Sequence, residues 1–317
     1  MQPSHEQFID ALLDSIDGAF SVNSRIAYRG DFLHYADWIS TTQFSLFPVS
    51  AKAVAAYIGA MQTVHKSATI RRRVDALSSI CFFAKLEDPT KSPEVKLALK
   101  RMHRQIGRHQ KQAYPLTWEL IEQMLARCDD SLTGQRNQLL LRIGYETMRR
   151  RAEICSFRFE DLQQLPDGHS GLFLRFSKTD QTGKGRLIPI SDKLSSLIKT
   201  WSESISINEG QILRAVRRGN NLAGPLRPVS ITAILVDLQY RSRLRHLPNL
   251  SGHSFRVGAA LDLLRAGVPI EKIMLRGGWT KESTTLRYLQ SWVDDVNPAE
   301  LDEPSTKAQS APNRSRV

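Results

Sequence analysis

Apolar residues recur at helical spacing through the first hundred positions of the chain. Between Arg25 and Ser40 one face gathers Ala27, Phe32, Tyr35 and Trp38, and Ser24 stands where an N-cap belongs. Ser50 precedes a second such stretch, AKAVAAYIGAMQ, and Ser67 opens a third, ATIRRRVDALSSICFFAKL. Ser92-Pro93-Glu94 combines a cap, a proline at the first helical position and an acid in the first turn, ahead of VKLALKRMHRQIGRHQKQ. The pattern predicts a small helical bundle closing in a basic segment near Lys111. Ala113-Tyr114-Pro115-Leu116-Thr117 reads as a joint, because Pro115 pushes the residue before it out of the helical region. Thr117 is placed to cap WELIEQMLARC.

The second half is mostly helical with one strand-rich patch. LFLRF and RLIPI are short, apolar or alternating, and separated by a Gly-Lys-Gly turn, which predicts a hairpin. Ser230 is placed to cap ITAILVDLQYRSRLR. The tail beyond Trp292 is rich in Pro, Ser, Asp and Glu, and is expected to be disordered. No internal repeat is visible. The expected fold is mainly α. An N-terminal bundle covers 1–111, a helical domain with a small antiparallel sheet covers 112–293, and the tail covers 294–317.

Composition sharpens this picture at three points. A chain of 317 residues favours two domains, and 41% hydrophobic residues can fill ordinary cores. A net charge of +12 favours a polyanionic partner. Cys81, Cys128 and Cys155 form no C-x-x-C pair and fit no metal spacing, so they read as small hydrophobes in a reducing compartment. MQPSHEQFID lacks the apolar run of a signal peptide, and no stretch approaches the ~20 apolar residues of a membrane span. The expected location is the cytoplasm, with no membrane contact.

The candidate chemistry lies in HSFRVGAALDLLRAGVPIEKIMLRGGWTKESTTLRYLQ. It supplies His253, Arg256, Trp279 and, nine residues further on, Tyr288. Upstream stand Arg149-Arg150-Arg151 and Lys178. Planar guanidinium groups match the oxygens of a phosphodiester, on which charge grows as a nucleophile adds. A tyrosine hydroxyl can attack, and a lysine or histidine can move the protons. Together these groups suit phosphodiester cleavage without a metal. His103, His109 and His246 lie in basic runs without a carboxylate or a second His at ligand spacing, so no metal site is expected. Tyr145 and Tyr240 follow neither H-x-x-R nor GGW and read as core or surface residues.

R-x-x-E at Arg150–Glu153, H-x-x-R at His253–Arg256, GGW and the following tyrosine resemble the tyrosine recombinase, or phage integrase, family. The Trp at that position, with HSFRVGAA and RAGV, is most similar to the Cre branch. The resemblance runs from about residue 5 to residue 290 and is most specific in the C-terminal block. It implies a core-binding domain and a catalytic domain that clamp duplex DNA. It also implies an inverted-repeat target, four protomers on two sites, and strand exchange through a Holliday junction. No metal, nucleotide or other cofactor is implied.

By the same resemblance Tyr288 is the nucleophile that forms a 3′-phosphotyrosyl bond. Arg150 and Arg256 clamp the scissile phosphate, His253 contacts it and aids proton transfer, and Trp279 donates its indole N–H. Lys178 is the general acid, with Lys184 as the alternative, and Glu153 holds the site from behind. Relatives often carry Thr-Gly-Leu-Arg where this chain has Thr147-Met148-Arg149-Arg150, so three successive arginines compete for one role; the spacing to Glu153 picks Arg150. A catalytically silent DNA-binding regulator, a topoisomerase-like relaxer and a telomere resolvase remain as alternative uses of this set. Whether accessory proteins take part is left open.

Expected DNA contacts are Lys66, Arg71, Arg72 and Arg73 on the third helix, Lys100, Arg104 and Lys111 on the basic stripe, and Arg241 and Arg243 at a later helix end. The bland reading is a solvated face for the first group and a favourable helix-dipole contact for the last; phosphate contacts from the stripe would position the protein without reading sequence.

Overall fold

The computed structural model describes residues 4–108, 112–165, 168–177, 183–283, 285, 286 and 289. The expected tail therefore lies outside the described residues. The chain forms two compact units, Met1–Lys111 and Gln112–Val317.

The first unit is all helical: α1 His5–Ser15, α2 Val22–Ser40, α3 Ala51–Met61, α4 Ser67–Phe83 and α5 Pro93–Ile106. Serine hydroxyls satisfy the first free N–H groups of four of these helices. Ser4 caps α1 within a capping box closed by Gln7, Ser50 caps α3 and Ser92 caps α5. The cap of α2 is Ser21 rather than Ser24; Ser24 is instead the residue whose N–H the Ser21 hydroxyl accepts. Lys66 precedes α4 without a side-chain cap bond. α5 ends at Ile106, short of the expected basic extension, at Gly107. α3 packs mainly on α5 and α2 on α4. Their inward faces bury Ile9, Phe32, Tyr35, Tyr57, Ile58, Ile70, Leu77, Val95 and Met102. Each large side chain contributes about 1.5–3 kcal/mol of transfer free energy.

The second unit holds α6 Trp118–Leu125, α7 Leu132–Thr147, α8 Arg151–Ser156, α9 Asp192–Ile205, α10 Ser230–Arg241, α11 Gly252–Arg265 and α12 Ile270–Gly277. Strands β1 Leu162–Gln164, β2 Ser170–Leu174 and β3 Arg186–Ile190 make an antiparallel sheet in that order, with Leu172 opposite Ile188. The expected hairpin is thus present as β2 and β3. A second hairpin, β4 Arg214–Arg217 with β5 Asn221–Pro225, has too little alternation to be foreseen. Thr117 and Ser230 differ from expectation. Thr117 precedes α6 without a side-chain cap bond, and Ser230 is the first residue of α10, after Val229.

α7 runs through the middle of this core. Its Leu139, Leu140, Leu141 and Ile143 are fully buried, packed with Phe157, Trp201, Ile231, Leu235 and Phe255. The joint is pinned to α11, since Leu116 N–H donates to the Ser254 carbonyl at 3.0 Å. One carboxylate oxygen of Asp262 accepts from both Trp118 N–H and the Tyr145 hydroxyl, each at 2.7 Å. That fixes α6, α7 and α11 as a frame for the residues that follow. Among the described residues no helix is long and apolar enough to cross a membrane.

Candidate active site

α7 ends at Met148, which takes left-handed backbone angles (φ 53°, ψ 36°) and is fully buried. The chain reverses there and enters α8 with Arg150 at the N-cap position. Glu153, three residues on, accepts the Arg150 backbone N–H at 3.1 Å and its guanidinium at 3.0 Å. The R-x-x-E spacing thus follows from helix-start geometry, in which the third residue reaches back to the capping position. Glu153 is buried, whereas 34% of the Arg150 side chain stays exposed. One ion of the pair is fixed inside and the other faces outward.

The second pair of groups comes from the start of α11. Ser251 caps that helix, His253 is its second residue and Arg256 lies one turn on. Arg256 is 1% exposed. Its Nη1 donates to the Met148 carbonyl at 2.7 Å, so the left-handed turn supplies the acceptor that aims this guanidinium. The same guanidinium lies 4.6 Å from the centroid of the Trp279 ring, within cation–π range. Burial pushes the His253 pKa down to about 4, and the charges of Arg256 and Arg150 push in the same direction. His253 is therefore neutral near pH 7. It sits at a helix N-terminus, whose free N–H groups and dipole favour an anion.

Trp279 closes the constellation. Gly278 ends α12 in the left-handed region (φ 66°), and a Cβ on Gly277 would lie 2.1 Å from the Trp279 ring. The two glycines let the indole fold back onto its own helix. There it joins a small apolar cluster with Met148, Ala259, Ala260, Leu261, Ile273 and Leu289. Tyr288, Lys178 and Lys111 lie outside the described residues; Lys184 is described and exposed.

Two arginines beside this site were not among the expected site residues: the spacing to Glu153 passed over Arg149, and Arg276 was not singled out. Arg149 is 3% exposed, and Arg276 donates to the Glu146 carbonyl through Nε at 3.1 Å and Nη2 at 2.8 Å. The signal for Arg149 was visible as an extra arginine beside R-x-x-E, but its burial is a tertiary property. Among the described residues no group of three His, Cys, Asp or Glu side chains is placed to hold a metal ion.

The expected DNA-contacting residues fall in three settings. Lys66, Arg71, Arg72, Lys100, Arg104, Arg241 and Arg243 are exposed. Arg71 pairs with Asp75 at 3.0 Å and Arg241 with Asp237 at 3.1 Å, both along one helix. Arg73 differs from its two neighbours in the triplet, because its side chain is only 11% exposed. It turns inward toward Asp31, which is itself buried, and its Nη1 lies 2.8 Å from Nε2 of His34. Arg72 binds the same carboxylate. A buried carboxylate requires such partners.

His34, His65, His103 and His253 all have lowered pKa values, in each case chiefly from burial. The unfolded chain takes up these protons near pH 6.5, while the folded chain resists them. The stability they contribute is complete above about pH 6.5 and is lost as pH falls toward the folded values. The melting temperature is expected to hold down to about pH 6.5 and to drop from there toward pH 5. His253→Gln should flatten the part of the drop that belongs to the second unit. A melting temperature that is flat or rises over this range would show that these imidazoles are protonated in the fold.

The model of the phage integrase family matches residues 115–293. The chain is 27% identical over 280 residues to an integrase/recombinase XerD homologue of Selenomonas ruminantium, covering 84% of this chain and 81% of that protein. It is 25% identical over 276 residues to the Cre recombinase of Escherichia phage P1, covering 81% and 80%. Among solved structures, the XerH site-specific recombinase in its post-cleavage complex with palindromic difH matches with a TM-score of 0.69 at 17% identity. That match covers 94% of this chain and 84% of that one, and shows a shared fold. With the family model spanning more than half its length, the chain belongs to the phage integrase family, the tyrosine recombinases that cut and rejoin DNA.

Proposed function

We propose that this recombinase acts on duplex DNA bearing an inverted repeat, as a homotetramer that joins two sites at the nucleoid of a bacterial cell. The unit Met1–Lys111 serves as the core-binding domain and residues 112–293 as the catalytic domain. The Tyr288 hydroxyl oxygen attacks the scissile phosphorus. A 3′-phosphotyrosyl bond forms and the bond from phosphorus to the 5′-oxygen breaks. Lys178 gives its proton to that oxygen, and neutral His253 takes the tyrosine proton. Arg150, Arg256 and the Trp279 N–H stabilise charge on the non-bridging oxygens. The freed 5′-hydroxyl of the partner strand then attacks the phosphotyrosine and restores the backbone. Strands exchange one pair at a time, through a Holliday junction.

The observation that carries this reading is the convergence of Arg150, His253, Arg256 and Trp279. Arg256 touches the Trp279 ring, and the charges of both arginines act on His253. The Glu153 carboxylate holds Arg150 and the Met148 carbonyl holds Arg256. The test uses fragments of the source genome incubated with the protein in excess EDTA, with covalent protein–DNA complexes recovered under denaturing conditions. A specific fragment carrying an inverted repeat is expected, with the protein on its 3′-phosphate. Two copies of that fragment on one plasmid should yield resolved circles. Cleavage abolished by EDTA and restored by magnesium would overturn the mechanism.

A further inference from the structure

We propose that Arg149 is a positioning residue for Trp279: it grips the last turn of α12 and so fixes the indole that meets the scissile phosphate. The proposal rests on the reading of Trp279 given above. Arg149 Nε donates to the Thr147 carbonyl at 3.0 Å, at the end of α7. Its Nη2 donates to the carbonyl of Arg276, at the end of α12. Its Nη1 abuts Gly278, where a Cβ would lie 2.6 Å away. The path from guanidinium to indole is short: Arg149 against Gly278, Gly277 against the Trp279 ring, and the ring under Arg256.

Two neighbours strengthen the grip. Arg276 reaches back to the Glu146 carbonyl of α7. Arg186, from β3, donates to the Leu275 carbonyl at 2.5 Å. The last carbonyls of a helix lack partners within the helix, and cations are favourable beside them. Here three guanidinium groups tie the end of α12 to α7 and to the sheet. Arg149 does this from inside the protein, where burial draws its pKa down to about 10, so it keeps its charge at neutral pH. A buried cation is expensive, and an apolar side chain of similar volume could fill the space. What the apolar side chain could not supply is a planar fork that holds two carbonyls at once, and a lysine could not supply it either.

The experiment compares wild type, Arg149→Lys, Trp279→Phe and the double variant. Adduct formation is followed under single turnover on a nicked duplex of the target recovered above. Arg149→Lys retains the charge and loses the fork. It is expected to bind DNA as wild type does and to cleave bound DNA on the order of 10²-fold more slowly, the scale of a misplaced catalytic group. In the Trp279→Phe background the same change should cost less than about 3-fold, because groups acting through one another are not additive. Equal losses in both backgrounds, or wild-type cleavage by Arg149→Lys, overturn the proposal. A second readout needs no activity. With fluorotryptophan incorporated, the Trp279 resonance, assigned from Trp279→Phe, should shift or broaden in Arg149→Lys while the other four tryptophan lines hold still. An unchanged Trp279 line overturns the proposal. Gly278→Ala, which forces a methyl against the same fork, should reproduce the shift if Arg149→Lys fails to fold; no shift there overturns it too. Absence of an adduct from wild type would instead overturn the functional reading, and the resonance would still report on Arg149.

Discussion

Tyr288→Phe protein is expected to bind its DNA site as tightly as wild type and to form no covalent adduct. The substitution removes one oxygen and leaves the ring, so groups that contact the phosphate and the grooves stay in place. Removing the nucleophile of a covalent enzyme lowers turnover by about 10⁶-fold, which is complete loss in a gel assay. The measurement is adduct formation on a nicked duplex, beside a filter-binding titration of the same variant. An adduct that persists in Tyr288→Phe would mean that another residue attacks. Leu289, the next residue along the chain, is 2% exposed in the cluster that contains Met148 and Trp279.

The second large effect concerns the proton donor. Lys178→Ala is expected to slow cleavage of ordinary DNA by about 10²–10⁴-fold, the usual contribution of proton transfer. A substrate with sulfur in place of the bridging 5′-oxygen leaves without needing a proton. On that substrate the Lys178→Ala defect should largely vanish. An Arg150→Ala defect should persist on it, since charge on the non-bridging oxygens still needs stabilising. Lys184→Ala should match wild type on both substrates. If Lys184→Ala instead shows the defect that sulfur rescues, the general acid is Lys184.

Much of the fold was legible because it is local chemistry. Ser50 and Ser92 announce their helices with a hydroxyl at the position the first free N–H groups require. LFLRF and RLIPI pair because their apolar positions share one face. Misreadings arose where two residues satisfy the same local rule. Ser21 and Ser24 both suit a cap, and only the fold shows that the chain turns at Ser21. α7 escaped the reading because Gln135, Arg136, Asn137, Gln138 and Arg142 interrupt its apolar run, although the helix is buried or half-buried along its whole length. At the candidate site, R-x-x-E and H-x-x-R were legible since each lies within one turn of a helix start. Arg149 and Arg73 were not, because what sets them apart from their neighbours is a carbonyl or a carboxylate contributed from far along the chain. A run of arginines looks the same whether one member turns inward or none does.

The carbonyl acceptors around α12 have one further consequence. A carboxylate partner would hold an arginine in place and cancel its charge together. A backbone carbonyl holds it and leaves the charge whole. Arg149 and Arg276 are both fixed by carbonyls. The work of assembling mutually repelling cations around the site is thus done once, during folding, by the packing of the domain. On the proposed reading, a phosphate placed there meets a field that is already oriented, so little reorganisation energy remains to be found at the moment charge develops.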